Sequence, residues 1–480
     1  MHFSIPDTED IKEGSATYTI YNIYVNGVFH CKARYKQLRQ FHDELKKEYG
    51  AFALPDFPKK KLLALSSEEV EQRRIMLERY IQLVSQDHQI GSSNLFNAFL
   101  LMAQQESQKE EAEEDSLDVF LMNGHKITVS LMSTDQTEDV LEVVAHQIEI
   151  PDDYVYYFGL YLVKKEEDGD TSVVRKLQEF ESPCLSLKAA NKHAVHRLVL
   201  RKAYWDSSFD EDLLEHKVTM NLLYVQANSD LERQWVLATK EQLGHLGNLR
   251  KKNSKREFLR VCRTLKYYGY MVFKPCTTDY LAPNSRVIIA AGQLELNFRI
   301  QVQDIVKEGS FKITRMRCWR ITTIYPNANG SSSSSEKDCA QLELSFEYLM
   351  SKDNLQWVSV LSDQAMLMSM CLQSMVDELI MKKKGKKFKK PQDRLKVRNG
   401  GPFKPVSREL SQGIEVRHSK EQNNNTRVHM VKAHMPEDQS AINKAMGSVK
   451  KQLSKGMQQQ KEEETITEND AFEGIGDDDL

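Results

Sequence analysis

Alternating hydrophobic and polar positions near the start of the chain predict a β-hairpin. Residues 18–25 are rich in tyrosine and isoleucine, and Asn26-Gly27 favours a tight two-residue turn between twisted strands. The return strand is expected over residues 28–33. A helical period follows, with hydrophobic residues on one face: Leu38, Phe41 and Leu45. The first part of the chain therefore predicts a small sheet followed by helices.

The same order returns after an acidic stretch at residues 109–116. Residues 117–122 and 126–131 flank a second Asn-Gly pair, and a helix with apolar residues in phase follows. Strands are expected at 157–163 and 197–200, with helices such as 231–246 and 255–265 after them. Strand–turn–strand–helix–strand is the order of a ubiquitin-like roll, although many α+β folds begin in this way.

Beyond residue 267 the period changes to that of strands. Six short β-rich segments are expected at 286–291, 293–302, 310–316, 318–324, 341–348 and 356–361. A closing helix then carries one hydrophobic face: Met366, Met370, Cys371, Met375, Leu379 and Ile380. Strands ended by one amphipathic helix are typical of a pleckstrin-homology or phosphotyrosine-binding (PTB) barrel. The fold class is therefore α+β and multidomain.

Composition excludes some classes of function. The chain has 480 residues and a formal net charge of −3, so we expect no chain-wide affinity for nucleic acid. No apolar run reaches the roughly 18 residues of a membrane span. Seven scattered cysteines without a CxxC pair predict reduced thiols and an intracellular protein. We also expect the protein to be a monomer. Nucleotide-binding, zinc-protease, serine-hydrolase and kinase motifs are missing, so we expect no catalytic residue, metal or cofactor.

The last hundred residues separate their charges. Residues 382–398 hold ten Lys or Arg and one Asp, whereas residues 462–480 hold nine Asp or Glu and no Lys or Arg. With no Trp or Tyr after residue 383, this part is expected to be a disordered tail. The basic block has two interpretations, attraction to an anionic membrane or an import-like segment, and the sequence does not choose between them.

A basic loop in the first module points to lipid recognition. Arg34-Tyr35 lies where a strand meets a helix, a Pro-x-x-Pro turn precedes Lys60, and Arg73 lies on the next helix. Together these motifs resemble the PX (phox-homology) domain. The resemblance implies that Arg34 binds the 3-phosphate of phosphatidylinositol 3-phosphate, and that Tyr35 lies under the inositol ring. It assigns Lys60 to the 1-phosphate and Arg73 to the ring hydroxyls, with Arg74 as a rival to Arg73.

The resemblance extends through the chain to the PX–FERM sorting nexins. It is carried by segments such as Val-Glu-Gln-Arg-Arg (70–74), Arg-Met-Arg-Cys-Trp-Arg (315–320) and the terminal Phe-Glu-Gly-Ile-Gly-Asp-Asp-Asp-Leu (472–480). It divides the chain as follows: PX domain 1–108, acidic linker 109–116, ubiquitin-like FERM lobe F1 117–202, helical lobe F2 203–270, PTB-like lobe F3 271–384, and tail 385–480.

In this family F3 binds receptor tails that carry NPxY or NxxY, by adding a strand to a sheet edge. The resemblance places that edge at residues 320–323. The cargo-contact candidates are Trp319, Arg320, Val376, Leu379 and Ile380, and ordinary barrel core is the alternative for Trp319 and the helix residues. The tail has an NxxF of its own, Asn469 to Phe472, which we expect to compete for the groove. Resemblance assigns the remaining tail motif to the Retriever recycling complex: Ile475, Asp477, Asp478, Asp479 and Leu480.

These features predict a peripheral adaptor on the cytosolic face of early endosomes. It would return receptors of the LDL-receptor-family and integrin types to the cell surface instead of releasing them to lysosomes. The alternative is a membrane–cytoskeleton linker, a FERM protein that is anchored by its PX domain.

Overall fold

A computed structural model describes residues 1–13, 16–61, 65–108, 112–166, 171–191, 194–302, 305–324, 341–398 and 427–430. The chain forms two compact units. The first comprises Met1–Lys274, Ala290–Gln293 and Asp377–Asn423, and the second comprises Pro275–Ile289, Leu294–Val376 and Asn424–Leu480. Within the described ranges, no helix is both long and apolar enough to cross a bilayer.

The N-terminal module of the first unit is a four-stranded sheet followed by helices. β3 pairs with all three other strands, and its two-residue turn into β4 has positive φ at both Asn26 and Gly27, as the Asn-Gly pair predicts. Its elements are β1 (Phe3–Ser4), β2 (Thr8–Glu13), β3 (Ala16–Val25), β4 (Val28–Arg34), α1 (Tyr35–Tyr49), α2 (Ser67–Gln86), α3 (His88–Gly91) and α4 (Asn94–Gln108).

The next module is a five-stranded roll with strand order β6-β5-β9-β7-β8, in which β5 and β9 are parallel. A helix packs on one face because Val140, Leu141 and Val144 turn to the core. The elements are β5 (Glu114–Phe120), β6 (Lys126–Met132), α5 (Thr137–Gln147), β7 (Phe158–Lys165), β8 (Thr171–Lys176), α6 (Pro183–Asn191) and β9 (His196–Lys202).

A helical module shares its core with the roll, so these two modules are one packed body. Leu198 of the sheet and Phe258 of the helices belong to the same buried cluster. The helices are α7 (Asp210–Leu214), α8 (Lys217–Glu232), α9 (Lys240–Lys251) and α10 (Lys255–Cys262), followed by β10 (Met271–Val272), which pairs with Ala290 and Ala291.

The second unit is a long antiparallel sheet with the strand order β14-β13-β12-β11-β17-β16-β15-β18 and an aromatic interior. Its strands are β11 (Cys276–Thr278), β12 (Ser285–Gly292), β13 (Glu295–Val302), β14 (Ile305–Lys312), β15 (Met316–Ile324), β16 (Gln341–Ser351), β17 (Asn354–Leu361) and β18 (Arg427–Met430). The helix α11 (Ala365–Lys383) begins in this unit, and α12 (Pro391–Arg398) belongs to the first.

The N-terminal module and the roll join through a buried interface. Phe180, from the loop after β8, is 2% exposed and belongs to the hydrophobic core of the N-terminal module. Its ring meets His30 edge-on at 5.4 Å. Gln104 of α4 accepts a hydrogen bond from the Ser182 amide at 2.8 Å and donates one to the Ser186 hydroxyl at 3.1 Å. The two modules are therefore held by packing and hydrogen bonds as well as by the connecting chain.

Three details differ from the pattern expected of the sequence. The second Asn-Gly pair lies in a five-residue loop, because β5 and β6 close at Phe120↔Lys126 and only Gly124 has positive φ. β5 begins at Glu114, so part of the expected acidic linker is strand. The expected tail contains α12 and β18.

We expect Phe180→Ala to lower the free energy of unfolding by about 3–5 kcal/mol, because it leaves a cavity inside the core of the N-terminal module. Equilibrium urea denaturation measures this change. The matched control is Phe52→Ala, since Phe52 is fully exposed and its loss should change stability by less than about 0.5 kcal/mol. Equal urea midpoints for the two variants would show that Phe180 does not stabilise this core.

Candidate functional site

A basic pocket forms around Tyr35 in the N-terminal module. Tyr35 begins α1, and its hydroxyl donates to the Pro58 carbonyl at 2.7 Å, which ties the proline turn to the helix. The Arg73 guanidinium of α2 lies over the Tyr35 ring, 4.3 Å from its centroid. Arg34 lies over Tyr18 of β3 at 4.2 Å. Two guanidinium groups on two aromatic faces thus stand where α1 begins.

The adjacent arginines of α2 have different surroundings. Arg74 is 3% exposed, forms ion pairs with Glu71 and Glu78, and donates to the Ile5 carbonyl. Arg73 is half-buried and lies beside Tyr21, where its charge partly offsets the rise that burial causes in the Tyr21 pKa. Arg74 therefore holds the module together, whereas Arg73 faces the pocket. The assignment of Arg73 to the lipid stays a prediction.

The lysines after the proline turn differ in the same way. Lys61 pairs with Glu69 at the start of α2, where Glu69 also closes a capping box with Ser66. Lys59 and Lys60 are exposed, and neither has an ion pair among the residues that the structure describes. The amino end of α1, which has no acidic residue in its first turn, adds a positive dipole end to the pocket.

The barrel of the second unit contains the expected edge strand, and that edge carries a further strand. β18 pairs antiparallel with β15 in the register Arg320↔Met430 to Thr323↔Arg427. These are the four residues, 320–323, at which the cargo strand is expected. The edge therefore accepts an added strand through main-chain hydrogen bonds, and a segment of the same chain occupies it.

Trp319 points into the barrel. It is 0% exposed and its indole N–H donates to the Ser369 hydroxyl of α11 at 3.1 Å. Val376, two helical turns after Ser369, is also buried, and half-buried Leu379 and Ile380 follow it at the end of α11. Trp319 and Val376 thus belong to the barrel interior that supports the edge, and a direct cargo contact for them stays a prediction.

Arg320 lies on the opposite face of the sheet. Its guanidinium is 4.6 Å from the ring centroid of Trp357, a neighbour on β17. Its Nε is buried and has no hydrogen-bond partner within the described part of the chain. A buried guanidinium N–H next to an edge strand is a donor that an incoming carboxylate or carbonyl can satisfy.

Some functional positions lie outside the sequence prediction or outside the described residues. Nothing in the sequence distinguishes Tyr18, which lies beneath Arg34, from the other tyrosines of its strand. The strand β18 was not predicted because its segment is polar and has no strand pattern. The tail motif lies outside the described residues: Asn469, Phe472, Ile475, Asp477, Asp478, Asp479 and Leu480.

Four family models match the chain in consecutive order. The PX domain matches residues 21–102, and the F1 lobe of the sorting nexin 17/27/31 FERM domain matches residues 115–205. The F2 lobe of the sorting nexin 17/31 FERM domain matches residues 206–266, and the sorting nexin 17 FERM C-terminal domain matches residues 269–380.

Curated relatives agree with these models. The chain is 46% identical over 490 residues to sorting nexin-17 of Danio rerio and 47% identical over 486 residues to that of Homo sapiens, with all of each chain covered. It is 34% identical to human sorting nexin-31 over 391 residues, which cover 80% of this chain and 86% of the relative.

The position of Trp319 predicts that its truncation destabilises the barrel. Trp319→Ala should lower the free energy of unfolding by about 3–5 kcal/mol. Trp357→Ala is the matched control, because Trp357 is 39% exposed and its truncation should cost less than about 1 kcal/mol. Thermal and urea unfolding of the two variants test this, and equal losses would show that Trp319 is not part of the core.

Proposed function

The chain belongs to the PX–FERM sorting nexins of the sorting nexin-17 and sorting nexin-31 group, and we propose that it is an endosomal adaptor which binds phosphatidylinositol 3-phosphate and NPxY or NxxY tails. Relatives matched over their full length make it a sorting adaptor rather than a cytoskeletal linker. The observation that carries the finer proposal is the β15 edge, which accepts an added strand at Arg320–Thr323.

The lipid part of the proposal rests on charge and shape around Tyr35. Arg34 and Arg73 can each donate two parallel hydrogen bonds to a phosphate or to vicinal hydroxyls, and Tyr35 offers an aromatic face. Lys60 is exposed two residues after Pro58, the residue whose carbonyl fixes Tyr35. We assign Arg34 to the 3-phosphate, Lys60 to the 1-phosphate, and Tyr35 and Arg73 to the ring.

The cargo part of the proposal follows from the backbone N–H and C=O groups of the edge strand β15, which need hydrogen-bond partners. A receptor tail added to β15 would satisfy the same backbone groups as β18, while its aromatic residue packs toward α11 near Val376, Leu379 and Ile380. The Arg320 Nε, which has no hydrogen-bond partner among the described residues, supplies a donor beside the strand. Main-chain pairing gives affinity, and the aromatic residue of the cargo gives selectivity.

The tail part of the proposal is that this chain regulates its own groove. β18 occupies the strand position, and the NxxF at Asn469 to Phe472 resembles the cargo motif. A tethered segment competes at an effective concentration in the millimolar range, so even a weak strand can hold the site until cargo accumulates. The released acidic end, Ile475 to Leu480, would then recruit the Retriever complex.

Lipid binding is tested with vesicles containing phosphatidylinositol 3-phosphate. Arg34→Gln and Arg73→Gln should each weaken binding at least tenfold, because each removes charge-assisted hydrogen bonds of about 1.5–3 kcal/mol. Arg79→Gln is the matched control: it makes the same charge change on the exposed face of α2. Equal weakening by all three variants would reduce the pocket to a nonspecific basic surface.

Cargo competition is tested by titrating a synthetic NPxY peptide into the full chain. Val428→Pro with His429→Pro should tighten binding at least threefold, because proline removes the backbone donors that β18 needs. Gln458→Pro with Gln459→Pro is the tail control, and a peptide with Ala for Tyr is the ligand control.

The same titration separates the two tail segments. Tightening by Phe472→Ala, with no effect of the two β18 prolines, would assign the competition to the NxxF alone. No tightening by either change would remove self-competition while leaving cargo binding in place. Failure of the unmodified chain and every variant to bind the NPxY peptide would remove the cargo part.

A further inference from the structure

Residues 386–394, here called the strap, follow α11 and lie on the roll and the helical module of the first unit. Gly385, with φ of 61°, ends the helix and turns the chain. Phe388 then packs into an aromatic cluster, 4.2 Å from the ring centroid of Tyr157 and 5.1 Å from that of Phe209. This aromatic residue anchors a segment whose other side chains are mostly basic.

The cations of the strap meet carboxylates of F1. Arg394 makes three contacts, 2.9 Å to Glu138, 2.8 Å to Asp139 and 2.9 Å to Glu142, with Nε, Nη2 and Nη1. Lys389 pairs with Glu138 and with Glu179, the latter at 2.8 Å, and Lys390 pairs with Asp153. The side chains of Arg394 and Glu138 are each 12% exposed, so this pair is shielded from solvent, whereas the Lys390–Asp153 pair is exposed.

The receiving surface is built independently of the strap. Tyr157, Tyr204 and Phe209 already contact one another, with centroid separations of 5.8–6.0 Å. Glu138, Asp139 and Glu142 lie along one side of α5, a helix whose opposite side is anchored in the core. A rigid aromatic hollow and a row of carboxylates therefore exist whether or not a ligand covers them.

The surface gathers carboxylates that a cationic cover neutralises, and the contacts that the structure describes between the strap and this surface are made by side chains. Glu138, Asp139 and Glu142 lie on one side of α5 and repel one another, and burial together with the charge of Glu179 raises the pKa of Glu138. The backbone hydrogen bonds that the structure shows for the strap are local: Lys386 to Met381 and Asp393 to Lys390. A ligand held by side chains on a preformed surface can be exchanged for another of the same chemistry.

We propose that this acidic and aromatic surface of F1 and F2 is a second peptide-binding site, which takes a basic segment with an aromatic anchor and is occupied in the free protein by the strap. Partners that fit it carry a phenylalanine followed by lysine and, about six residues after the phenylalanine, an arginine. The site is separate from the lipid pocket around Tyr35 and from the β15 edge, and does not depend on either.

The test adds a fluorescent peptide of residues 385–398 to the full-length protein. Lys389→Glu with Arg394→Glu releases the tethered strap, so the peptide should bind this variant at least tenfold more tightly than the unmodified chain, where the strap competes. Lys386→Glu with Lys387→Glu is the matched control, because these lysines are exposed and have no ion pair in the described ranges. It should bind the peptide as weakly as the unmodified chain.

Two further variants keep the result decisive. Phe388→Ala weakens the contact of the strap with the surface without changing its charge, so it should also tighten peptide binding. It replaces the variant Lys389→Glu with Arg394→Glu if that variant unfolds. Glu138→Gln with Glu142→Gln, added to a released variant, should reduce peptide binding at least tenfold. Folded, released variants that bind the peptide no better than the unmodified chain would overturn the proposal. Binding that is insensitive to the two glutamine substitutions would overturn it as well.

Discussion

The insertion of Phe180 into the core of the PX domain fixes what the first unit can do. Without it, the N-terminal module and the roll would lose the apolar contact that is buried between them. With it, the PX sheet, F1 and F2 form one packed body, because F1 also shares its core with F2. Gln104, buried beside Ser182 and Ser186, forms hydrogen bonds with polar groups that this interface would otherwise bury without partners. The membrane binding that we propose for the Tyr35 pocket would therefore orient F1 and F2 as well.

The packed body of the PX sheet, F1 and F2 also offers the basic block, residues 382–398, an alternative to membrane binding. A lysine near an anionic leaflet gains about 1 kcal/mol. Arg394 makes three charge-assisted contacts in a shielded site, each of about 1.5–3 kcal/mol before the cost of desolvation. The Arg394 cation therefore favours F1 over a membrane, whereas the exposed Lys390–Asp153 pair gives Lys390 no such preference. Lys386 and Lys387 remain exposed, so only a fraction of the block is available for membrane attraction.

Local patterns in the sequence predicted the elements well and the long-range contacts poorly. The Asn26-Gly27 turn, the buried face of α1 and the closing helix α11 follow from periods of two to four residues, and the structure confirms them. Phe180 has no such signal, because acidic neighbours on both sides make it look like an exposed turn. The strap looked like a solvated charge run, since its partners lie about 250 residues away in the chain. The second Asn-Gly pair lies in the expected hairpin, but F1 closes that hairpin with a five-residue loop.

The geometry of the β15 edge explains how a polar tail segment can pair with it. Strand addition is read through main-chain hydrogen bonds, which Arg-Val-His-Met at residues 427–430 makes as well as any extended sequence without proline. The edge by itself is therefore unselective, and discrimination must come from side-chain contacts around it, such as those offered by α11 and by Arg320, whose Nε has no hydrogen-bond partner among the described residues. A tethered strand without the cargo motif can occupy such an edge because of its effective concentration. In the proposed function a receptor tail would add an aromatic anchor, and this difference would let cargo displace the chain's own strand.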